Sequence, residues 1–142
     1  PALLVYIAQS FPHADLATLD DPYEFARLQS FNAYLCGTVH VAHAHIRRGE
    51  RWADDPAAIA EMKRKAPEVM ADCFQMIEDT FFTGPWVMGD GYTIADPYLF
   101  TLTLWLPAHR LDSASYPRVH EHKQRMLERP AVQAAITAEE SR

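Results

Sequence analysis

The sequence predicts an all-α fold, a bundle of about six helices around a buried central helix. Three observations lead to this prediction. Hydrophobic residues recur at helical spacing through most of the chain, and helix-start signals precede several of these segments. One segment, residues 93–106, is apolar on nearly every side, which is typical of a buried helix. The chain has 142 residues, of which 49% are hydrophobic, enough to bury a core.

Composition and charge argue against several classes of protein. A net charge of −6 with no basic stripe argues against a nucleic-acid partner. Threonine and proline interrupt the longest apolar stretch before it could span a membrane, and no secretory signal is present in this chain. Cys36 and Cys73 fall within helical patterns and lack metal-ligand spacing. They are therefore expected to be reduced core thiols in a cytoplasmic protein.

The first helix is predicted over residues 1–9. A connection rich in proline and aspartate follows at 11–21, of the kind that joins two domains. Asp21 as a cap and Pro22 at the first helical position then open a long helix over about 22–46. The residues expected on its core face recur at helical spacing: Phe25, Leu28, Leu35, Val39, Ala42 and Ile46.

A third helix is predicted to begin at Asp55 and Pro56. Pro67 should kink or split it, because the proline ring clashes with the preceding turn. The last two helices are predicted near 117–129 and from Pro130 to about 138. The core face expected on the third helix comprises Ile59, Met62, Val69, Cys73, Ile77 and Phe81.

The central helix is predicted to start with a capping box. Thr93 would be the N-cap, with its hydroxyl accepting the Asp96 N–H, while the Asp96 carboxylate accepts the Thr93 N–H. The negative charge also suits the positive end of the helix dipole. The helix is expected to end at Pro107. This motif is interpreted as a folding signal rather than as part of a catalytic site.

Three stretches of the sequence resemble the C-terminal domain of glutathione transferases, in particular the bacterial beta class. "GDGYTIADPYLF" is similar to the family's N-capping segment, and "HKQRMLERPAVQAAITAEE" is similar to the ending of the beta class. "SFNAYLCGTVH" aligns without gaps to the first long helix of that domain. The resemblance covers nearly the whole chain.

This resemblance implies a division into residues 1–10, the last helix of an otherwise missing thioredoxin-like domain, a linker at 11–21, and a helical domain at 22–142. The catalytic residue would lie in the missing domain, and neither cysteine of this chain matches it. The chain alone is therefore expected to be inactive. The full-length protein is expected to be a cytoplasmic, homodimeric detoxification enzyme that conjugates or reduces hydrophobic electrophiles with glutathione as co-substrate.

The resemblance also implies site residues. His40 matches a beta-class histidine that helps to hold glutathione near its sulfur, although the lysine that follows it in close relatives is Val41 here. Asn32 stands beside the position of an asparagine in those relatives and is expected to bind glutathione. Tyr98 and Trp105 match aromatic residues that border the acceptor-substrate pocket. A surface role for His40 and simple core packing of the two aromatic residues remain alternatives.

Two further alternatives concern metal binding and non-catalytic function. His40, His43 and His45 crowd one helix, and a spacing of three residues can place two imidazoles on one metal ion. No nearby acid or cysteine completes a tetrahedral set, so no metal site is predicted. The alternative function is a transferase-like helical module for protein assembly without turnover. By family resemblance a dimer is expected, and Ala33 and Gly37 form a small-residue strip that permits close approach of a neighbour or ligand.

Overall fold

The computed structural model describes residues 1–141, and over this range the chain is an all-α bundle with no β-strand. Short 3-10 turns and loops connect the helices. The predicted fold class is therefore confirmed. In chain order the helices are α1 (Ala2–Ser10), α2 (Pro22–Tyr34), α3 (His40–Arg47), α4 (Pro56–Met76), α5 (Ala95–Thr103), α6 (Pro117–Leu127) and α7 (Pro130–Glu140).

The predicted long helix at 22–46 consists of α2 and α3, joined without a break by a π-helical turn at Leu35–Val39. The Asp21 carboxylate caps α2 by accepting the Tyr23 and Glu24 N–H groups at 2.9 and 3.1 Å. In the π-helical turn the His40 N–H donates to the carbonyl five residues back. This wider turn changes the angular phase of every side chain that follows it along α3.

The core forms where α2, α4 and α6 pack around α5. Leu99 and Leu102 of α5 are fully buried, as are Phe31 of α2 and Phe74 of α4. The prediction of a buried central helix is correct for most of α5. Burial is less complete directly after the helix: Leu104, the residue that follows α5, is 42% exposed. Burying these large side chains stabilises the fold by about 2 kcal/mol each.

The start of α5 differs in detail from the predicted capping box. The Thr93 N–H donates to the Asp96 carboxylate at 2.7 Å, as the sequence predicts. The Thr93 hydroxyl, however, accepts the Ala95 N–H at 3.3 Å, and the Asp96 N–H instead donates to the Thr93 carbonyl. Asp96 also accepts from Val87 N–H at 3.0 Å and contacts His122 Nε2 at 3.1 Å. The carboxylate therefore joins the helix start to two other segments.

The predicted helix end at Pro107 is wrong. The α-helix stops at Thr103, and the Trp105 N–H donates to the carbonyl only three residues back. A 3-10 turn at Leu106–His109 follows, and it ends at Arg110 with φ of 60°. The physical reason is Pro107, which lacks an N–H and disfavours the α conformation at the residue before it.

Two other expectations need correction. Helix α4 runs from Pro56 to Met76 without interruption, so Pro67 does not split it, and the alternative of a kink at Pro67 stays a prediction. Packing of the neighbouring buried residues Ala66 and Met70 keeps the helix continuous despite the missing hydrogen bond. Cys73 is a buried thiol, as expected, but Cys36 is exposed because it lies on the outer side of the π-helical turn.

Candidate functional site

An open groove of about 590 Å³ lies between α3, the turn after it, and the end of α5. Its walls include His40 and His43 from α3 and Trp105 from the segment that follows α5. The structure thus brings together two residues that the sequence singles out, His40 and Trp105. They are separated by 65 positions in the sequence and meet because α3 and α5 belong to the same bundle.

The rings of His40 and Trp105 make an edge-to-face contact. Their centroids are 5.1 Å apart with an interplanar angle of 86°. This is a favourable arrangement for aromatic rings, since the positive edge of one ring meets the negative face of the other. The contact restricts the orientation of the His40 imidazole, which is otherwise exposed at the first residue of α3.

His43 supports the same tryptophan from beside His40. Its ring stacks on Trp105 with centroids 4.3 Å apart and an interplanar angle of 26°. Its Nδ1 is hydrogen-bonded to Nε2 of His109 at 2.9 Å. Since His109 is only 1% exposed, this bond ties the groove wall to the interior.

Both members of the histidine pair have a lowered pKa. Burial, followed by the charge of the neighbouring His43, lowers the pKa of His109 to about 4. Burial also lowers the pKa of His43, followed by the charges of Arg47 and His40. Two neutral imidazoles suit this geometry, because one ring can donate its N–H and the other can accept.

Metal ligation is not the arrangement that the histidines adopt in the structure. His43 pairs with His109, while the ring of His45 makes an edge contact with Trp52 at a centroid distance of 4.5 Å. Within residues 1–141, no group of three or more His, Cys, Asp or Glu side chains could hold a metal ion.

Tyr98 and Asn32 lie outside the groove. Tyr98 is half-buried, and burial followed by the nearby Cys36 raises its pKa to about 12. Asn32 is 0% exposed, and neither atom of its side-chain amide has a hydrogen-bond partner within residues 1–141. Their roles in acceptor binding and glutathione binding therefore stay predictions.

Sequence reasoning did not identify several groove residues. The sequence pattern offers His43 only as a metal ligand, although its spacing of three from His40 places both on one face of a helix. The other missed residues that carry a charge or an aromatic ring are Arg47, Arg48, Arg51 and Trp52. They belong to "RRGERW", a stretch with no periodicity or motif to mark it.

The comparisons with known proteins give a consistent result. The family model of the glutathione S-transferase C-terminal domain matches residues 41–130. This is more than half of the chain. The chain belongs to that family.

Two solved structures of bacterial glutathione transferases are similar to this chain. A glutathione transferase homologue from Sulfitobacter, with bound glutathione, is 39% identical with a TM-score of 0.92 and covers 96% of this chain and 65% of that one. A bacterial beta class glutathione S-transferase from Sphingomonas chungbukensis is 28% identical with a TM-score of 0.82, and the match covers 98% of this chain and 66% of that one. The resemblance to the beta class is thus supported by both sequence and fold.

A curated relative gives the same picture. Glutathione S-transferase GstA of Escherichia coli O157:H7 is 28% identical over 140 residues, which is 97% of this chain and 65% of that protein. This transferase C-terminal domain therefore spans about two thirds of the length of the proteins that it matches. The remaining third of those proteins has no counterpart in this chain.

Proposed function

We propose that this chain works as the C-terminal part of a glutathione transferase, which conjugates or reduces hydrophobic electrophiles with glutathione when joined to a thioredoxin-like domain. The observation that carries the proposal is the contact between His40 and Trp105 in one groove. One residue is expected beside the glutathione sulfur and the other beside the acceptor. A groove lined by both would place the two substrates next to each other.

His40 is proposed to act on the glutathione sulfur. An imidazole N–H can donate a hydrogen bond to a thiolate and so favour the deprotonated form, which is the nucleophile. In conjugation the thiolate sulfur forms a bond to the electrophilic carbon, and the leaving group departs with the electron pair of the broken bond. The edge contact with Trp105 limits the rotation of His40 and so keeps its N–H directed.

The acceptor wall is proposed to consist of Trp105 backed by His43. Because His43 stacks on the indole and is itself bound to the buried His109, the wall is rigid before any substrate arrives. A preformed apolar wall binds a hydrophobic electrophile at a lower entropic cost than a mobile one. Tyr98 is proposed to border the acceptor from deeper in α5, and Asn32 to contribute to the glutathione side through α2.

An exposed apolar face of α1 supports the division into two domains. Leu3, Tyr6 and Ile7 are 76%, 67% and 41% exposed, and Phe11, which follows the helix, is 63% exposed. Contiguous apolar side chains of this size mark a surface that another protein segment covers. We infer that the rest of the thioredoxin-like domain covers this face. Residues 1–10 would be the last helix of that domain, and residues 11–21 would be the linker.

The proposal includes a homodimer in the cytoplasm with a role in detoxification. Ala33 and Gly37 are exposed on the rod formed by α2 and α3, and a Cβ added at Gly37 would meet no atom within 4 Å. Small exposed residues in this position permit close approach of a second copy. No helix within residues 1–141 is long and apolar enough to cross a membrane.

The experiment compares the chain alone with the chain joined to the thioredoxin-like domain that we propose precedes it. The joined protein is expected to conjugate glutathione to chlorodinitrobenzene, and the chain alone is not. The reason is that glutathione is charged at both ends and needs several hydrogen-bond donors and acceptors in fixed positions. This chain supplies only one wall of such a site. Turnover by the chain alone would contradict the divided site. An inactive joined protein, or an upstream region without a thioredoxin-like segment, would favour a non-catalytic assembly module instead.

A further inference from the structure

Three arginines line the same groove as His40 and Trp105. Arg47 comes from the last turn of α3, Arg48 follows the helix end, and Arg51 closes the 3-10 turn at Gly49–Arg51. All three are exposed to solvent. The chain as a whole carries a net charge of −6, so this local concentration of positive charge is opposite in sign to the net charge.

The arginines converge because the chain reverses tightly after α3. Gly49 is buried at the turn, and a Cβ added there would lie 3.0 Å from a methyl group of Ile59. The glycine therefore lets the turn press against α4. The Trp52 N–H then donates to the Gly49 carbonyl at 3.0 Å, which holds the 3-10 turn and carries Arg51 back to the groove.

No acidic side chain within residues 1–141 neutralises these guanidinium groups. The ion pairs that arginine and lysine form in this range involve Arg27, Arg64 and Lys65, which lie elsewhere on α2 and α4. Glu50 stands between Arg48 and Arg51 in the sequence but does not line the groove. The donors of three guanidinium groups thus remain available to a bound anion.

Aromatic side chains lie beside this positive charge. Trp52 is 47% exposed in the groove, and the edge contact of its indole with His45 fixes its orientation. Trp105 forms another part of the same wall. Flat indole surfaces next to guanidinium groups match a ligand that has an aromatic body and an anionic substituent.

We propose that the groove is an anion-selective subsite, and that Arg48 and Arg51 direct the protein toward aromatic acceptors that carry a carboxylate or sulfonate group. The assignment of the ligand as an acceptor substrate rests on the proposed transferase function. The selectivity for anionic aromatic ligands is a binding property and does not depend on turnover.

The test measures probe binding to the chain by fluorescence. Anilinonaphthalene sulfonate is the anionic probe, and phenylnaphthylamine is its uncharged counterpart. The double substitution Arg48→Gln and Arg51→Gln is expected to weaken binding of the anionic probe by about tenfold and to leave the neutral probe unchanged, because charge-assisted hydrogen bonds are lost. The double substitution Arg48→Lys and Arg51→Lys keeps the positive charge and is expected to retain most of the affinity for the anionic probe.

The matched control is Arg64→Gln with Lys65→Gln, which changes the net charge equally but lies on α4 away from the groove. This control is expected to change binding by less than about twofold. Affinity for the anionic probe should also fall as salt shortens the Debye length from about 30 to about 3 Å. Probe bound to the apolar face of α1 would respond to neither pair of substitutions.

If both pairs of substitutions weakened binding of the anionic probe equally, the effect would come from the overall charge of the protein, and the proposed subsite would be overturned. Equal loss of the two probes, or no binding of the anionic probe at all, would overturn it too. Failure of the transferase assay would leave this binding result intact, and failure of the binding result would leave the transferase proposal intact. The two proposals can therefore fail separately.

Discussion

The buried Asp96 carboxylate joins the start of α5 to two other segments of the chain. It is 0% exposed and accepts from the N–H groups of Val87 and Thr93 while also contacting His122. We expect Asp96→Ala to lower the free energy of unfolding by about 3 kcal/mol, because several buried donors lose their acceptor at once. Urea denaturation of this variant and of Asp54→Ala, an exposed acid, checks the prediction. Equal midpoints would contradict the proposed role.

The buried His109 makes stability depend on pH. Its pKa falls from 6.5 to about 4 on folding, chiefly through burial. Between these values the unfolded chain binds more protons than the folded chain, so stability is fully present above pH 6.5 and is lost as the pH falls toward 4. The bond to His43 requires at least one of the two rings to be neutral, because one nitrogen must accept the N–H of the other.

The variant His109→Gln tests this dependence. It should cost most stability near neutral pH, and the difference from the native chain should shrink steadily below pH 6.5. Contributions from titrating groups that do not contact His109 are common to both proteins and cancel in the difference, whereas His43 contacts His109 directly. His13→Gln, at an exposed position, serves as the control. A difference that stays constant from pH 7.5 to about pH 4.5 would show that the His109 pKa is the same in the folded and unfolded chains.

At the scale of elements, two glycines in the α2–α3 region should respond in opposite ways to alanine. Gly37 lies in a helical turn with no atom within 4 Å of an added Cβ, so Gly37→Ala should raise stability by about 0.5–1 kcal/mol. Gly49→Ala places a methyl 3.0 Å from Ile59 and should lower stability by about 1 kcal/mol. Thermal unfolding of both variants measures these changes in stability. A stabilising Gly49→Ala would contradict the tight contact between residue 49 and Ile59.

The sequence was informative about elements whose signals are local. The Asp21–Pro22 start of α2 and the Pro130 start of α7 follow from side-chain chemistry within one turn. The early end of α5 was missed, although Pro107 itself carried the signal, because the apolar pattern continues past Thr103. Periodicity reports which residues avoid water, and a 3-10 turn can bury the same residues as an α-helix.

The candidate site was only partly accessible to sequence reasoning. His40 and Trp105 could be named from a resemblance, but their contact depends on how α3 and α5 pack. The pairing of His43 with His109 links two ordinary-looking residues that are 66 positions apart. The three arginines gather because Gly49 closes a turn against α4, which no local pattern indicates.

At the scale of the whole molecule, the apolar face of α1 predicts a covering domain. Tyr6 is 67% exposed on that face, and Tyr23 is 71% exposed at the start of α2. In the joined protein Tyr6→Ser should lower stability by roughly 1–2 kcal/mol, while Tyr23→Ser should not, because only Tyr6 would be buried by the added domain. In the chain alone both substitutions should change the melting temperature little. A joined protein that tolerates both equally would show that the face is not covered.

The central claim is that this chain supplies one wall of a divided glutathione site. The most direct test is the steady-state conjugation rate of the joined protein with His40→Ala, compared with His13→Ala as an exposed control. Losing one charge-assisted hydrogen bond of about 1.5 kcal/mol should lower activity by roughly tenfold in His40→Ala. The control should retain full activity. Unchanged kinetics in His40→Ala would contradict the claim that this groove acts on the glutathione sulfur.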